Sequence, residues 1–171
     1  MCNAKKTETG FSILVLTNDN EYTTYNCRYA IFATGGIGRV YEYTTNSAIA
    51  TGDGITIAHE LGAEIKNLSY IQFHPTGFNN KHTRETFLIS ESVRGEGAYL
   101  KNCNGERFMQ NYDDRLELAP RDVVSHAIMA EAKKTGSDKF YLDITHKDPE
   151  FVRNRFPMIN EKLLEAGYDM T

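Results

Sequence analysis

The 171-residue sequence contains no apolar run near the roughly 20 residues that a helix needs to cross a bilayer. Its opening, MCNAKKTETG, lacks the apolar core of a secretory signal. Both absences point to a cytoplasmic protein without a membrane segment. Basic residues are scattered and the net charge is −4, which removes the clustered positive surface that grips nucleic acid. The three cysteines, Cys2, Cys27 and Cys103, are far apart, odd in number and without a CxxC pair. That spacing argues against a disulfide framework or a zinc site and leaves reduced thiols; no metal is expected. Repeats, low-complexity tracts and flexible linkers are also missing.

What remains is globular in character. A hydrophobic fraction of 40% and a charged fraction of 25% suit a chain that buries a core. Its length suits one domain, or one compact domain with part of another attached. Two β-rich stretches, Phe11 to Thr17 and Glu21 to Cys27, flank the turn formers Asn18-Asp19-Asn20 and predict a hairpin. The apolar run from Arg28 to Thr34 ends in Gly35-Gly36, the pattern of a buried parallel strand stopping where a ligand approaches the backbone. A helix follows, with Asp53 as its cap, Ile55, Ala58 and Leu61 on its apolar face and Gly62 at its end. Residues 63 to 68 then predict a short returning strand, giving an α/β unit.

The pattern changes near Ser69. Asn104-Gly105 predicts a hairpin between residues 98 to 101 and 107 to 109. A helix is expected from Pro120 or Arg121 to Gly136, with Val123, Val124, Ala127, Ile128 and Ala132 as its buried stripe. Residues 140 to 144 predict a strand. Asp148-Pro149 then starts a helix running to Gly167 that Pro157 kinks or breaks.

Three runs gather polar groups around glycine or proline in a way that packing does not require: QFHPTG at 72 to 77, SESVRGEG at 90 to 97 and LAPRD at 118 to 122. They supply an imidazole, a hydroxyl, carboxylates and guanidinium groups. Such a set suits a dicarboxylate, because arginine presents a planar fork to a carboxylate while histidine and serine add directed donors.

With ATGG at 33 to 36, TTN at 44 to 46, GDG at 52 to 54 and RGEGAYL at 94 to 100, these runs resemble the succinate dehydrogenase and fumarate reductase flavoprotein family. LAPRD and the later LDITHKD and RFPMINEKLLEAGYD look most like its aspartate-oxidising branch. The resemblance implies an α+β chain: a capping domain of the fumarate reductase/aspartate-oxidising type, residues 69–171, preceded by a partial α/β FAD-binding segment, residues 1–68. It implies FAD as cofactor, with Gly35, Gly36 and Asp53 as contacts. L-aspartate is the implied dicarboxylate substrate, oxidised to iminoaspartate on the way to quinolinate and NAD, with oxygen or fumarate taking the electrons. His74 would bind a substrate carboxylate, with Ser90 and Glu91 in the same pocket and Glu91 facing the ammonium group. Arg121 matches the family's catalytic arginine; since arginine normally stays protonated, a fixed positive charge is its simplest role.

Two positions depart from the family. Ser90 stands where threonine is common, and Ser47 where proline usually follows the asparagine of TTN. Asp53 reads equally as a helix cap. Arg94 and Glu96 read as a structural ion pair in a tight turn. Arg121 is misplaced for the dipole at a helix start, which favours function over architecture. His59, His82, His126 and His146 carry no motif. Neither the GxGxxG phosphate fingerprint nor the family's second substrate histidine and arginine is found. The chain alone is therefore expected to hold half a site, to need the remainder of the enzyme, and to lack turnover. The other readings are a fragment of the succinate or fumarate enzyme, and a non-catalytic capping module that needs a partner chain.

Overall fold

The computed structural model describes residues 1–78 and 84–171; His82 lies outside them. The described chain is α+β, built from short antiparallel sheets and helices, and forms two compact units, Met1–Ile71 and Gln72–Thr171.

The first unit opens with an antiparallel meander of β1 (Asn3–Thr7), β2 (Gly10–Leu16) and β3 (Tyr22–Cys27). The expected hairpin is β2–β3. Its turn closes through the Thr17 amide donating to the Glu21 carbonyl, with Asn20 in the left-handed region at φ 61°. Strand β1 went unread because NAKKT has no apolar alternation to mark it.

The run from Arg28 to Thr34, expected as a buried strand, is not one. Tyr29 and Ile31 are 85% and 94% exposed, and no described segment pairs with them. An apolar sequence supplies the preference for a strand, but the ladder requires a neighbour. Residues 63 to 68 likewise form no strand.

Helix α1 (Asp53–Glu60) forms where expected, but Gly52, at φ 83°, is its N-cap, and Asp53 is the first helical residue with no capping bond from its side chain. A left-handed cap suits glycine, and the carboxylate one residue later still faces the positive end of the helix. The buried face centres on Gly54 and Ile57 rather than on Ile55. A Cβ at Gly54 would lie 1.9 Å from Thr34 Oγ1, so the first turn of α1 rests directly on the threonine of the ATGG run.

The second unit has two apolar clusters. One joins Ile89, Val93, Ala98, Ile144, Val152, Phe156 and Ile159. The other joins Leu100, Phe108, Met109, Ala119, Val124 and Ala127, and Leu142 packs against both. Its elements are the short pair β4 (Gly77–Phe78) and β5 (Phe87–Leu88), helix α2 (Glu91–Gly95), and β6 (Tyr99–Lys101) paired with β7 (Tyr141–Asp143). Three helices complete it: α3 (Arg121–Thr135), α4 (Pro149–Arg155) and α5 (Pro157–Glu165).

Asn104-Gly105 makes its turn, with Asn102 Oδ1 accepting from the Asn104 and Glu106 amides. The hairpin shrinks to a single Lys101–Arg107 bridge, because β6 takes β7 as its partner. Helix α3 ends at Gly136, φ 66°, as expected. Its buried stripe is Val124, Ala127 and Glu131, the carboxylate of Glu131 being satisfied by Asn102 Nδ2 at 2.9 Å and the Tyr112 hydroxyl at 2.8 Å. Asp148 caps α4 by accepting from the Phe151 amide, and Pro157 breaks the expected long helix into α4 and α5.

Phe108 is 1% exposed and meets Phe140 and Tyr112 edge-on at 5.7 and 6.1 Å. Phe108→Ala should therefore remove about 3–5 kcal/mol of stability, read from the urea midpoint of the second unit's transition.

Candidate functional site

In the second unit the three polar runs come together. Pro120 is the N-cap of α3 and, lacking an amide hydrogen, leaves no donor to satisfy where the chain turns in. One turn later the Ser125 hydroxyl donates to the Phe73 carbonyl at 3.2 Å, tying QFHPT to the start of α3. From that start Arg121 donates Nε to Glu91 Oε2 at 2.7 Å and Nη1 to Gln72 Oε1 at 3.3 Å. The other end of QFHPT is fixed by Thr76, whose buried hydroxyl donates to the Ile89 carbonyl at 3.0 Å, while the Ile89 amide returns a bond to the Thr76 carbonyl. Ile89 precedes Ser90, the N-cap of α2. Ser90 Oγ accepts from the Ser92 amide at 3.3 Å and from the Ser92 hydroxyl at 2.8 Å, leaving its own proton to donate.

His74 is half-buried. Burial first, then the positive charge of Arg121, lower its pKa below the ordinary 6.5, with Arg94 adding to the effect and Glu91 opposing it. It is therefore neutral at pH 7. The Thr76 amide donates to Nδ1 at 3.3 Å, which selects the tautomer carrying its proton on Nε2. Glu91 moves the opposite way: the Arg121 hydrogen bond holds its carboxyl below the usual range. It stays ionised and is a poor base. Gln72, Ser125 and Thr76 were missed as site supports; proximity to His74 and Arg121 in their motifs was the available signal.

Arg94 was read as the partner of Glu96, and it is not. Glu96 pairs with Arg155 at 2.8 Å. Arg94 is 1% exposed, donates Nη1 to the Glu117 carbonyl, and brings Nη2 to 3.5 Å from Glu91 Oε1. Burial is the main influence drawing its pKa down. That last approach is a charge contact without hydrogen-bond geometry, so Arg94 Nε and Nη2 are buried donors lacking a hydrogen-bond acceptor among the described residues. Each such group costs about 1–3 kcal/mol. The 94–96 spacing suggested a local pair, but both residues sit at the end of a short helix and diverge to different elements.

The residues matched to FAD lie in the first unit. Gly35, at φ 76°, and Gly36 are exposed, and a Cβ built on either meets nothing within 4 Å. Asp53 is exposed in the first turn of α1. Bare, accessible backbone beside a helix start fits the edge of a flat or phosphorylated cofactor. The GxGxxG phosphate fingerprint is not among these residues.

A charge cluster of Arg121, Glu91 and Arg94 beside His74 and a glycine turn bared beside a helix start are compatible with a flavin-dependent oxidoreductase. Residues 5–170 match the FAD binding domain family, and the chain belongs to it. It is 51% identical to L-aspartate oxidase of Yersinia pestis over 148 residues, 86% of this chain and 28% of that protein. It is 48% identical to L-aspartate oxidase of Clostridium perfringens over 158 residues, 92% of this chain and 35% of that protein. The chain thus spans about a third or less of these relatives. Among solved structures, a quinol-fumarate reductase with menaquinol superposes with a TM-score of 0.84 at 30% identity, covering 98% of this chain and 32% of that one. An E. coli quinol fumarate reductase gives 0.83 at 29% identity over 95% and 30%.

An NMR titration of the His74 ring should show a midpoint below 6.5, with the proton on Nε2 in the neutral form. In Arg121→Gln the midpoint should rise, because a positive charge that opposed protonation is gone. Stability linked to this histidine should be present at neutral pH and be lost as pH falls through the lowered midpoint. A wild-type midpoint at or above 6.5 contradicts the assigned environment.

Proposed function

We propose that this chain forms the substrate-holding part of an FAD-dependent enzyme that oxidises L-aspartate to iminoaspartate, the product feeding quinolinate and NAD synthesis. The observation that carries this reading is Glu91 held between Arg121 and Arg94 beside a neutral His74. Two guanidinium groups and one carboxylate leave a single net positive charge, which matches the single net negative charge of L-aspartate. Arg121 serves as a fixed cation for one carboxylate. His74 donates from Nε2 to a carboxylate, and Ser90 adds its hydroxyl proton. Glu91, ionised and half-exposed, faces the ammonium group and fixes the substrate's orientation. FAD, when bound, supplies the acceptor for a hydride; Gly35, Gly36 and Asp53 are the residues of this chain that would touch it.

In this reading residues 69–171 act as a capping domain and residues 1–68 as the end of an FAD-binding domain of a cytoplasmic enzyme, with fumarate or oxygen as electron acceptor. The likeness to fumarate reductases favours a second reading, a diacid without an amine. Glu91 discriminates: a carboxylate among the ligands repels succinate and attracts an ammonium.

Binding of L-aspartate and succinate to the 171-residue chain, followed by NMR shifts, tests this. Arg121→Gln should weaken both about tenfold to a hundredfold, the worth of a charged hydrogen bond. Glu91→Gln should weaken L-aspartate and spare succinate. If succinate binds the unsubstituted chain more tightly than L-aspartate does, the second reading stands. The chain mixed with FAD alone should neither form a stoichiometric yellow complex nor consume L-aspartate.

A further inference from the structure

Glu117 is 3% exposed and outside the substrate-facing cluster, yet both of its carboxylate oxygens and its carbonyl are committed. Its Oε1 accepts from the Leu100 amide at 3.0 Å and from Arg107 Nε at 2.9 Å, and its Oε2 accepts from Arg107 Nη2 at 2.6 Å. Its own carbonyl receives Arg94 Nη1. The residue lies in the 3-10 turn Leu116–Leu118, where Leu116 adopts φ 55°. A leucine rarely enters the left-handed region unless its surroundings impose it. Here the Leu118 and Ala119 amides close onto the Arg115 and Leu116 carbonyls.

These contacts make an alternating line of charge: Arg107, Glu117, Arg94, Glu91, Arg121. Glu91 alone would face two competing guanidinium groups. Arg94 and Glu91 are three residues apart on α2, so Arg94 could turn onto that carboxylate at little cost. The Glu117 carbonyl gives Arg94 another acceptor and holds it 3.5 Å from Glu91 Oε1, leaving Oε2 to Arg121.

We infer that Glu117 is a positioning residue: its carboxylate, clamped by Arg107 and the Leu100 amide, fixes the carbonyl that restrains Arg94 and so preserves the Glu91–Arg121 pair. The inference rests on the reading of that pair as part of the substrate site.

The experiment follows the arginine Nε–H signals of the 171-residue chain by NMR, assigned with Arg94→Lys and Arg121→Lys, alongside L-aspartate binding. In Glu117→Gln the amide cannot accept from Arg107 at both of its atoms, so the clamp opens. Hydrogen-exchange protection of Arg121 Nε–H and affinity for L-aspartate should each fall about tenfold, the worth of one charged hydrogen bond. Arg107→Gln removes a partly exposed partner, leaves Glu117 in place, and should give the same changes to a smaller degree; it carries the test if Glu117→Gln does not fold. A merely structural role would lower the melting temperature and leave Arg121 Nε–H protected in the folded fraction. Unchanged Arg121 protection in a folded variant overturns the inference. If the unsubstituted chain binds no L-aspartate while Arg121 protection still falls on substitution, the positioning stands and the substrate reading fails.

Discussion

Arg94 is the constraint around which the second unit is arranged. A guanidinium without solvent and with two donors unfilled is costly, and folding places it there only if the surroundings leave no cheaper position. The Glu117 carbonyl and the charge of Glu91 are its compensation. Because Glu91 is already ionised and already bonded to Arg121, the same charge that steadies the interior also fixes a guanidinium at the surface. The buried Arg94 and the partly exposed Arg121 therefore draw on one carboxylate.

Helix starts organise the rest. Arg121 opens α3 and Glu91 opens α2, so both members of this ion pair leave a helix at its first residue. The carboxylate agrees with the positive end of its helix; the guanidinium opposes it. That opposition is offset by the bonds Arg121 makes to Glu91 and Gln72.

Periodicity and punctuation made several elements readable beforehand. Helix α3 with its glycine stop, the Asp148 cap and the break at Pro157 depend on nearest neighbours in sequence, and they form as expected. Readings that depended on distant partners did less well. Residues 28 to 34 have the composition of a strand but, among the described residues, no strand to pair with. Glu131 looks like a solvated helix residue until Asn102 and Tyr112, far off in sequence, supply its bonds. Of the site, His74, Ser90, Glu91 and Arg121 were marked by their motifs. Arg94 was assigned to the wrong acid, since two charges close in sequence on a tight turn suggest a pair that three-dimensional divergence denies. Asp53 was taken for a cap because it is the usual residue type, whereas a left-handed glycine does that work.

The contact between Gly54 and Thr34 has a mechanical consequence. With 1.9 Å between an imagined Cβ and the Thr34 hydroxyl, the opening turn of α1 is seated on the chain leading into Gly35 with no space for a side chain between them. A single methyl at position 54 would have to displace Thr34 or the helix start, next to the bare glycine backbone that follows.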